Sequence, residues 1–231
     1  MEVSFILVEP AVPENIGASA RAIKTMGFHN LCLVNPGNFR DKKARIMAHA
    51  STDILDKAIV YQSMDDIVNN FDFLIATSAK RRRTNDNYIK AEDLPDFIRK
   101  RSDTIHNIGI LFGKEESGLS NKEIKVCDII TYISLANPYP SLNLSQAVMI
   151  YAFLLSGVFR KRRAAKPGKY PTESLQVLKK KVSMILDELK IKQSHIIGPR
   201  IMERMSYLKK EDISLLHSVC NTFLEDKHQT K

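Results

Sequence analysis

Along the first 160 residues, short apolar runs alternate with helical patterns, and this alternation limits the possible folds more than any other feature. Val3–Val8, Leu31–Val34, Phe73–Thr77, Asn107–Phe112 and Ile129–Ser134 are dominated by β-branched, leucine and aromatic side chains. They lack the polar alternation of a strand with one wet face, so both faces must be covered. Between them, Glu14–Met26, Arg40–Ala50 and Ser63–Asn70 read as helices, and Asn143–Arg160 as the longest. Ile59–Tyr61 is a short strand, and Ser120-Asn-Lys-Glu123 is a capping box. The expectation is an α/β fold: a mostly parallel sheet with helices on both faces.

The pattern changes near residue 160. Arg160 to Lys169 is basic and broken by Pro167-Gly168. Beyond it, Thr172 to about Lys190, a helix opening at Gly198-Pro199, and Glu211–Leu224 are all helical. This divides the 231 residues into a domain over 1–161, a basic linker over 162–171 and a small all-helical C-terminal extension over 172–231. Charge follows the same division. Residues 1–159 hold 18 Lys plus Arg against 18 Asp plus Glu, whereas residues 160–231 hold 17 against 8. The whole net charge of +9 therefore lies in the last third, which favours a polyanionic partner, since each neutralised phosphate releases counterions.

Several classes are excluded. No G-x-G-x-x-G follows the first strand, so a dinucleotide site is unsupported. Gly113-Lys-Glu-Glu-Ser-Gly118 has P-loop glycine spacing, but Leu119-Ser120 replaces Lys-Ser/Thr, and Glu115 and Glu116 would repel phosphates. The three cysteines are far apart and the six histidines scattered, so neither a disulfide framework nor a metal site is expected. With no leader, no spanning segment and no Trp to anchor a surface helix, the expectation is a cytoplasmic protein with no membrane partner.

Three segments that follow strands carry unusual polar residues. In Pro13-Glu-Asn-Ile-Gly-Ala-Ser-Ala-Arg-Ala22, helical geometry sets Asn15 and Arg21 on either side of Ala18, a gap that suits an RNA phosphate or ribose. Close packing of a small-residue helix is the other reading of that stretch. In Ile110 to Ser120, the acidic Glu115 lies just past a buried strand and between glycines. In Asn137 to Gln146, Ser141 or Asn143 caps the long helix, and a cap alone does not account for Ser141, Asn143, Ser145 and Gln146 together.

Taken in order and spacing, "NIGASARAIKTMG", "LFGKEESGLS" and "ISLANPYPSLNLSQAV" resemble the three motifs of the SpoU/TrmH family of RNA 2′-O-ribose methyltransferases, in the SPOUT superfamily. The "ANPxxxSLNL" form and the helical extension look most like the TrmJ branch, which methylates tRNA. The resemblance covers residues 2–160 closely and the tail only in character. It implies a C-terminal trefoil knot, S-adenosylmethionine bound there largely by backbone groups, and a homodimer. It assigns cofactor binding to Thr77, Ser78, Ala79, Gly113, Ile133, Pro140, Ser141 and Leu142. Its catalytic positions are Asn15, Arg21, Glu115, Ser141 and Asn143. No metal is expected with the cofactor, because the sequence offers no ligand cluster. Tyr139-Pro140 departs from the small polar residue common before Ser-Leu-Asn, and removes an N–H donor.

The implied chemistry matches the residue types. A ribose hydroxyl is a weak nucleophile until its proton is drawn away, and Arg21 stays protonated. Arg21 is thus expected to orient a phosphate and stabilise the developing alkoxide, with a phosphate oxygen or water taking the proton. Glu115 is expected to buttress Asn15 or Arg21. Arg81, Arg82 and Arg83, beside Thr77–Ala79, are expected to contact RNA together with Arg21. The expected substrate is tRNA at the pyrimidine opening the anticodon loop. The same chemistry on ribosomal RNA, or a catalytically silent RNA-binding protein of this fold, are the alternatives.

Overall fold

The computed structural model describes residues 1–79, 88–137, 141–160, 175–191 and 197–228. The strands are β1 (Glu2–Val8), β2 (Asn30–Val34), β3 (Ile59–Tyr61), β4 (Phe73–Thr77), β5 (Tyr88–Lys90), β6 (Asn107–Phe112) and β7 (Ile129–Tyr132). The helices are α1 (Pro13–Thr25), α2 (Lys42–Ala48), α3 (Thr52–Asp56), α4 (Met64–Asn70), α5 (Leu94–Arg99), α6 (Asn121–Lys125) and α7 (Leu144–Arg160), then α8 (Leu175–Glu188), α9 (Ile197–Met205) and α10 (Lys210–His228).

Among the described residues, the strands form one sheet in the order β3-β2-β1-β6-β4-β7-β5, and every strand pair is parallel. The five apolar runs are the five inner strands, and the short runs β3 and β5 close its edges. Phe5 lies opposite both Leu31 and Ile110, and Ile75 opposite both Ile110 and Ile129. Because all strands run the same way, the carboxyl ends of β6, β4 and β7 lie side by side, where open α/β sheets bind ligands.

Three details differ from the sequence expectation. The helix expected over Arg40–Ala50 is shortened to Lys42–Ala48, because His49 turns to φ 51° and a 3₁₀ turn follows. The strand expected to reach Ser134 ends at Tyr132. Strand β5 and the short helices α3 and α5 had no expectation, being three to six residues long and below any readable period.

Aromatic side chains join the layers. Phe5 meets Phe28 edge-on at 5.2 Å and stacks on Phe112 at 6.2 Å, and Phe112 meets Tyr151 of α7 edge-on at 5.6 Å. On the α1 side, the small residues permit close approach. A Cβ on Gly17 would lie 2.0 Å from the Ala44 carbonyl oxygen of α2, so only glycine fits there. The face of α1 that carries Gly17 therefore packs closely, as the small-residue reading expects, while Arg21 stays exposed.

The chain divides into two compact units, Met1–Arg99 with Asn107–Lys166 and Lys100–His106 with Pro167–Lys231. The first holds the sheet. In the second, Leu175, Leu178, Leu186, Met205 and Ile213 are buried, and Lys181 donates to Asn221 Oδ1 at 2.6 Å. The loop 100–106 belongs to this helical unit by contact: the Arg101 guanidinium lies 4.6 Å over the Tyr207 ring, and its Nε donates to the Ser206 carbonyl at 3.3 Å. The expected linker, 162–171, lies outside the described residues.

Candidate active site

The carboxyl end of β4 is laced to both neighbours. Thr77 Oγ1 donates to the Leu111 carbonyl of β6 at 2.8 Å, and Ser78 N–H donates to the Thr131 carbonyl of β7 at 2.9 Å. These turn the Thr77 hydroxyl and the Ser78 N–H into the sheet, and leave small Ala79 exposed beyond them. Past β6, a Cβ on Gly113 would lie 2.1 Å from the Gly118 carbonyl carbon and 2.2 Å from Leu119 N. The chain therefore folds back on itself at Gly113, and only glycine allows that approach. Ile133, just past β7, and Leu142 are half-buried. Ala79, Gly113 and Ile133, just past the ends of β4, β6 and β7, are thus small or apolar residues at the carboxyl edge of the sheet. Pro140, Arg81, Arg82 and Arg83 lie outside the described residues.

One directed chain of hydrogen bonds runs through all three polar segments. Asn143, the residue before α7, accepts at Oδ1 from Ser145 N–H at 2.9 Å and from the Ser145 hydroxyl at 2.8 Å. Its own N–H donates to Gln146 Oε1 at 3.0 Å, which completes a reciprocal cap. Asn143 Nδ2 donates to Asn15 Oδ1 at 2.8 Å, and Asn15 Nδ2 donates to Glu115 Oε1 at 3.0 Å. The sense of each amide is fixed from both ends. Ser145 N–H only donates and an ionised carboxylate only accepts, so neither asparagine is free to flip.

The Glu115 carboxylate is used on both oxygens. Oε2 accepts from Ala11 N–H at 3.1 Å, and Oε1 accepts from Val12 N–H at 3.2 Å as well as from Asn15. Val12 is the residue before α1 and has no side-chain cap of its own, so Glu115 supplies the anion at that helix start. Burial pushes its carboxyl up, but the Asn15 amide and the N–H groups of Ala11, Glu115 and Val12 outweigh it, and the net shift is downward. Glu115 is thus held ionised and already engaged by three donors, which makes it a weak base. Beside it, Lys114 Nζ pairs with Glu9 Oε2 at 2.6 Å, a second tie between the loops after β1 and β6.

Arg21 stands apart from this chain. Its side chain is exposed on α1 and has no hydrogen bond or ion pair with any described residue. Glu115 therefore buttresses Asn15 and not Arg21. Ser141 is exposed ahead of Asn143, likewise without a partner among the described residues, and Asn143 is the one that caps α7. Asn15, Glu115 and Asn143 are brought together, while Arg21 and Ser141 are left free. The Ala11 and Val12 amides and the Glu9–Lys114 pair were not anticipated. Backbone N–H groups leave no mark in a sequence, and the pair joins residues 105 apart.

Among the described residues, no group of three or more His, Cys, Asp or Glu is placed to hold a metal ion. No described helix is long and apolar enough to cross a membrane.

Comparison with known proteins bears on the same segments. Residues 2–153 match the SpoU rRNA Methylase family, and residues 172–226 match the C-terminal domain of the tRNA/rRNA methyltransferase LasT. The chain is 32% identical over its whole length, and the relative's, to an uncharacterised tRNA/rRNA methyltransferase LasT from Escherichia coli. It is 32% identical over 225 residues, 93% of this chain and 96% of the other, to the tRNA (cytidine-2′-O-)-methyltransferase TrmJ of Methanocaldococcus jannaschii. A solved probable methylase family protein from Haemophilus influenzae superposes with a TM-score of 0.64 at 27% identity, over 99% of this chain and 98% of that one.

Proposed function

The chain belongs to the SpoU rRNA methylase family, and on that premise we propose that it methylates a ribose 2′-hydroxyl of tRNA, at the pyrimidine opening the anticodon loop. The observation that carries this reading is the chain Ser145–Asn143–Asn15–Glu115, which ties all three polar segments at one end of the sheet and leaves Arg21 free. S-adenosylmethionine, whose use is a trait of the family, supplies an electrophilic methyl group when bound. Thr77, Ser78, Ala79, Gly113, Ile133, Pro140, Ser141 and Leu142 would hold it.

In this reading the protein works by placement. Glu115 and Asn143 lock Asn15 and the start of α1, and so set where Arg21 stands. The Arg21 guanidinium, permanently charged, grips a phosphate beside the target ribose and stabilises the oxygen as its proton leaves. Glu115 is spoken for by three donors, so a phosphate oxygen or water takes the proton. Arg81, Arg82 and Arg83 add contacts to the RNA. The threaded C-terminal knot, the homodimer and a cytoplasmic setting belong to the same proposal. The insertion of β7 between β4 and β5 supports a rethreaded chain end.

Methylation of ribosomal RNA is the second reading, because the family description and that of LasT both name it. The test is calorimetry on chelator-treated protein, followed by transfer of labelled methyl to in vitro transcribed tRNA and to ribosomal RNA fragments. Micromolar cofactor binding with label on tRNA alone is the expected result. Absence of binding up to millimolar concentration overturns the proposal, and label confined to ribosomal RNA selects the second reading.

A further inference from the structure

The loop between β2 and α2 carries a group that the transfer chemistry does not use. Asn35 closes β2 with φ 43°, and the Gly37 N–H then donates to the Pro10 carbonyl at 3.3 Å. Pro10 immediately precedes Ala11 and Val12, the two residues whose amides bind Glu115. The loop is thus one hydrogen bond from the candidate site. Two residues on, Phe39 N–H donates to the Gly37 carbonyl at 2.8 Å, and the Arg40 guanidinium lies 5.2 Å over the Phe39 ring. Asp41 then caps α2 by accepting from Lys43 N–H at 2.8 Å, so the loop is fixed at both ends.

The charges around this loop fall into two groups. Lys24, Lys43 and Arg45 are neutralised by Asp53, Glu14 and Asp56. Arg40 and Lys42 are exposed and have no acidic partner among the described residues. The Lys43–Glu14 pair, at 3.3 Å, also joins the start of α2 to the residue beside Asn15. An arginine plane backed by an aromatic ring, next to a free lysine and beside the target site, is the composition that receives an unpaired base and its phosphate.

We propose that Phe39 and Arg40 form a stacking platform for an unpaired RNA base flanking the methylated nucleotide, with Lys42 on the adjoining phosphate. The inference rests on the reading of the protein as an RNA methyltransferase, and deepens it. The platform selects single-stranded or loop RNA, because a base inside a duplex has no free face to offer.

The test is steady-state methyl transfer to in vitro transcribed tRNA, and to a single-stranded oligonucleotide of its anticodon loop, by F39L, R40K and R40A in the full chain. One stacked base is worth about 1–3 kcal/mol, so F39L and R40A should each raise KM for RNA about tenfold, with the loss on KM rather than kcat. R40K should keep the salt dependence but not the low KM, since an ammonium has no plane. R40A should lower the log–log salt slope by about 0.7, and F39L should leave it unchanged. Wild-type KM in F39L and R40A overturns the platform, as does a fall in kcat matched by a lower melting temperature. A wild-type protein that transfers no methyl to any RNA overturns the underlying reading instead.

Discussion

The sheet unit and the helical unit differ in how they use apolar side chains. In the first, Phe5, Ile6, Leu7, Phe73, Ile75 and Ile110 are wholly removed from solvent, in a core continuous across β1, β6 and β4. In the second, Met184, Leu215 and Val219 remain 57%, 67% and 64% exposed. A dense core holds loops to hydrogen-bond tolerance, and the whole Ser145–Asn143–Asn15–Glu115 chain belongs to that unit.

Charge separates them differently. Residues 1–159 are balanced, and residues 160–174 alone hold six Lys or Arg against one Glu, while residues 175–228 hold ten against seven. The basic excess is thus concentrated at the junction more than on the helices. On the proposed function, chemistry belongs to the sheet unit, and the basic run 160–174 is expected to carry much of the RNA affinity.

The largest expected effect breaks the sheet-unit side. Asn15→Asp is isosteric but turns the donor toward Glu115 into a second carboxylate, and Arg21→Ala removes the free cation. Each should lower kcat by about 10²–10³-fold while cofactor affinity, read by calorimetry, stays within about twofold. Wild-type turnover in Asn15→Asp would sever the hydrogen-bond chain from catalysis.

Next comes the junction. Changing Arg160, Lys161, Arg162, Arg163, Lys166 and Lys169 to Gln in the full chain should remove about four to five units of salt slope in filter binding of tRNA. An unchanged slope would move RNA affinity back to the helices or the sheet.

A smaller effect reports on Glu115 through pH. Its carboxyl is shifted below the usual value, so its stabilisation is complete above the unfolded value of about 4.3. It is lost only as pH falls through the lower folded value. The melting temperature of Glu115→Gln should therefore lie below wild type at pH 7, and the gap should narrow toward pH 3. A gap that is constant with pH would mean the charge plays no part.

The smallest effect is favourable. The Ser19 hydroxyl in α1 is fully buried and has no hydrogen-bond partner among the described residues. Ser19→Ala should raise stability by about 1 kcal/mol, about 2–4 °C in melting temperature, with turnover unaltered.

How much was legible from sequence follows the same division. The inner strands could be read because burial on both faces writes a continuous apolar run, whereas β5 is a three-residue edge with nothing to repeat. Asn15, Glu115 and Asn143 each stood out by residue type. Their joining was invisible, because the partners are 100 and 128 residues apart and meet only when β1, β6 and α7 are assembled. The earlier choice for Glu115, between Asn15 and Arg21, needed that geometry. The helical unit was legible as three helices, but its recruitment of the loop around Arg101 crosses about a hundred residues and carries no local signal.

The account turns on where a methyl group is placed, and mass mapping of ribose methylation measures that directly. RNA would be compared from cells with the gene, without it, and with an Arg21→Ala copy. The account predicts one 2′-O-methylated pyrimidine at the opening of the tRNA anticodon loop, present only with the intact gene. An identical methylation map in all three strains, or a lost methyl that sits on a base, would contradict it.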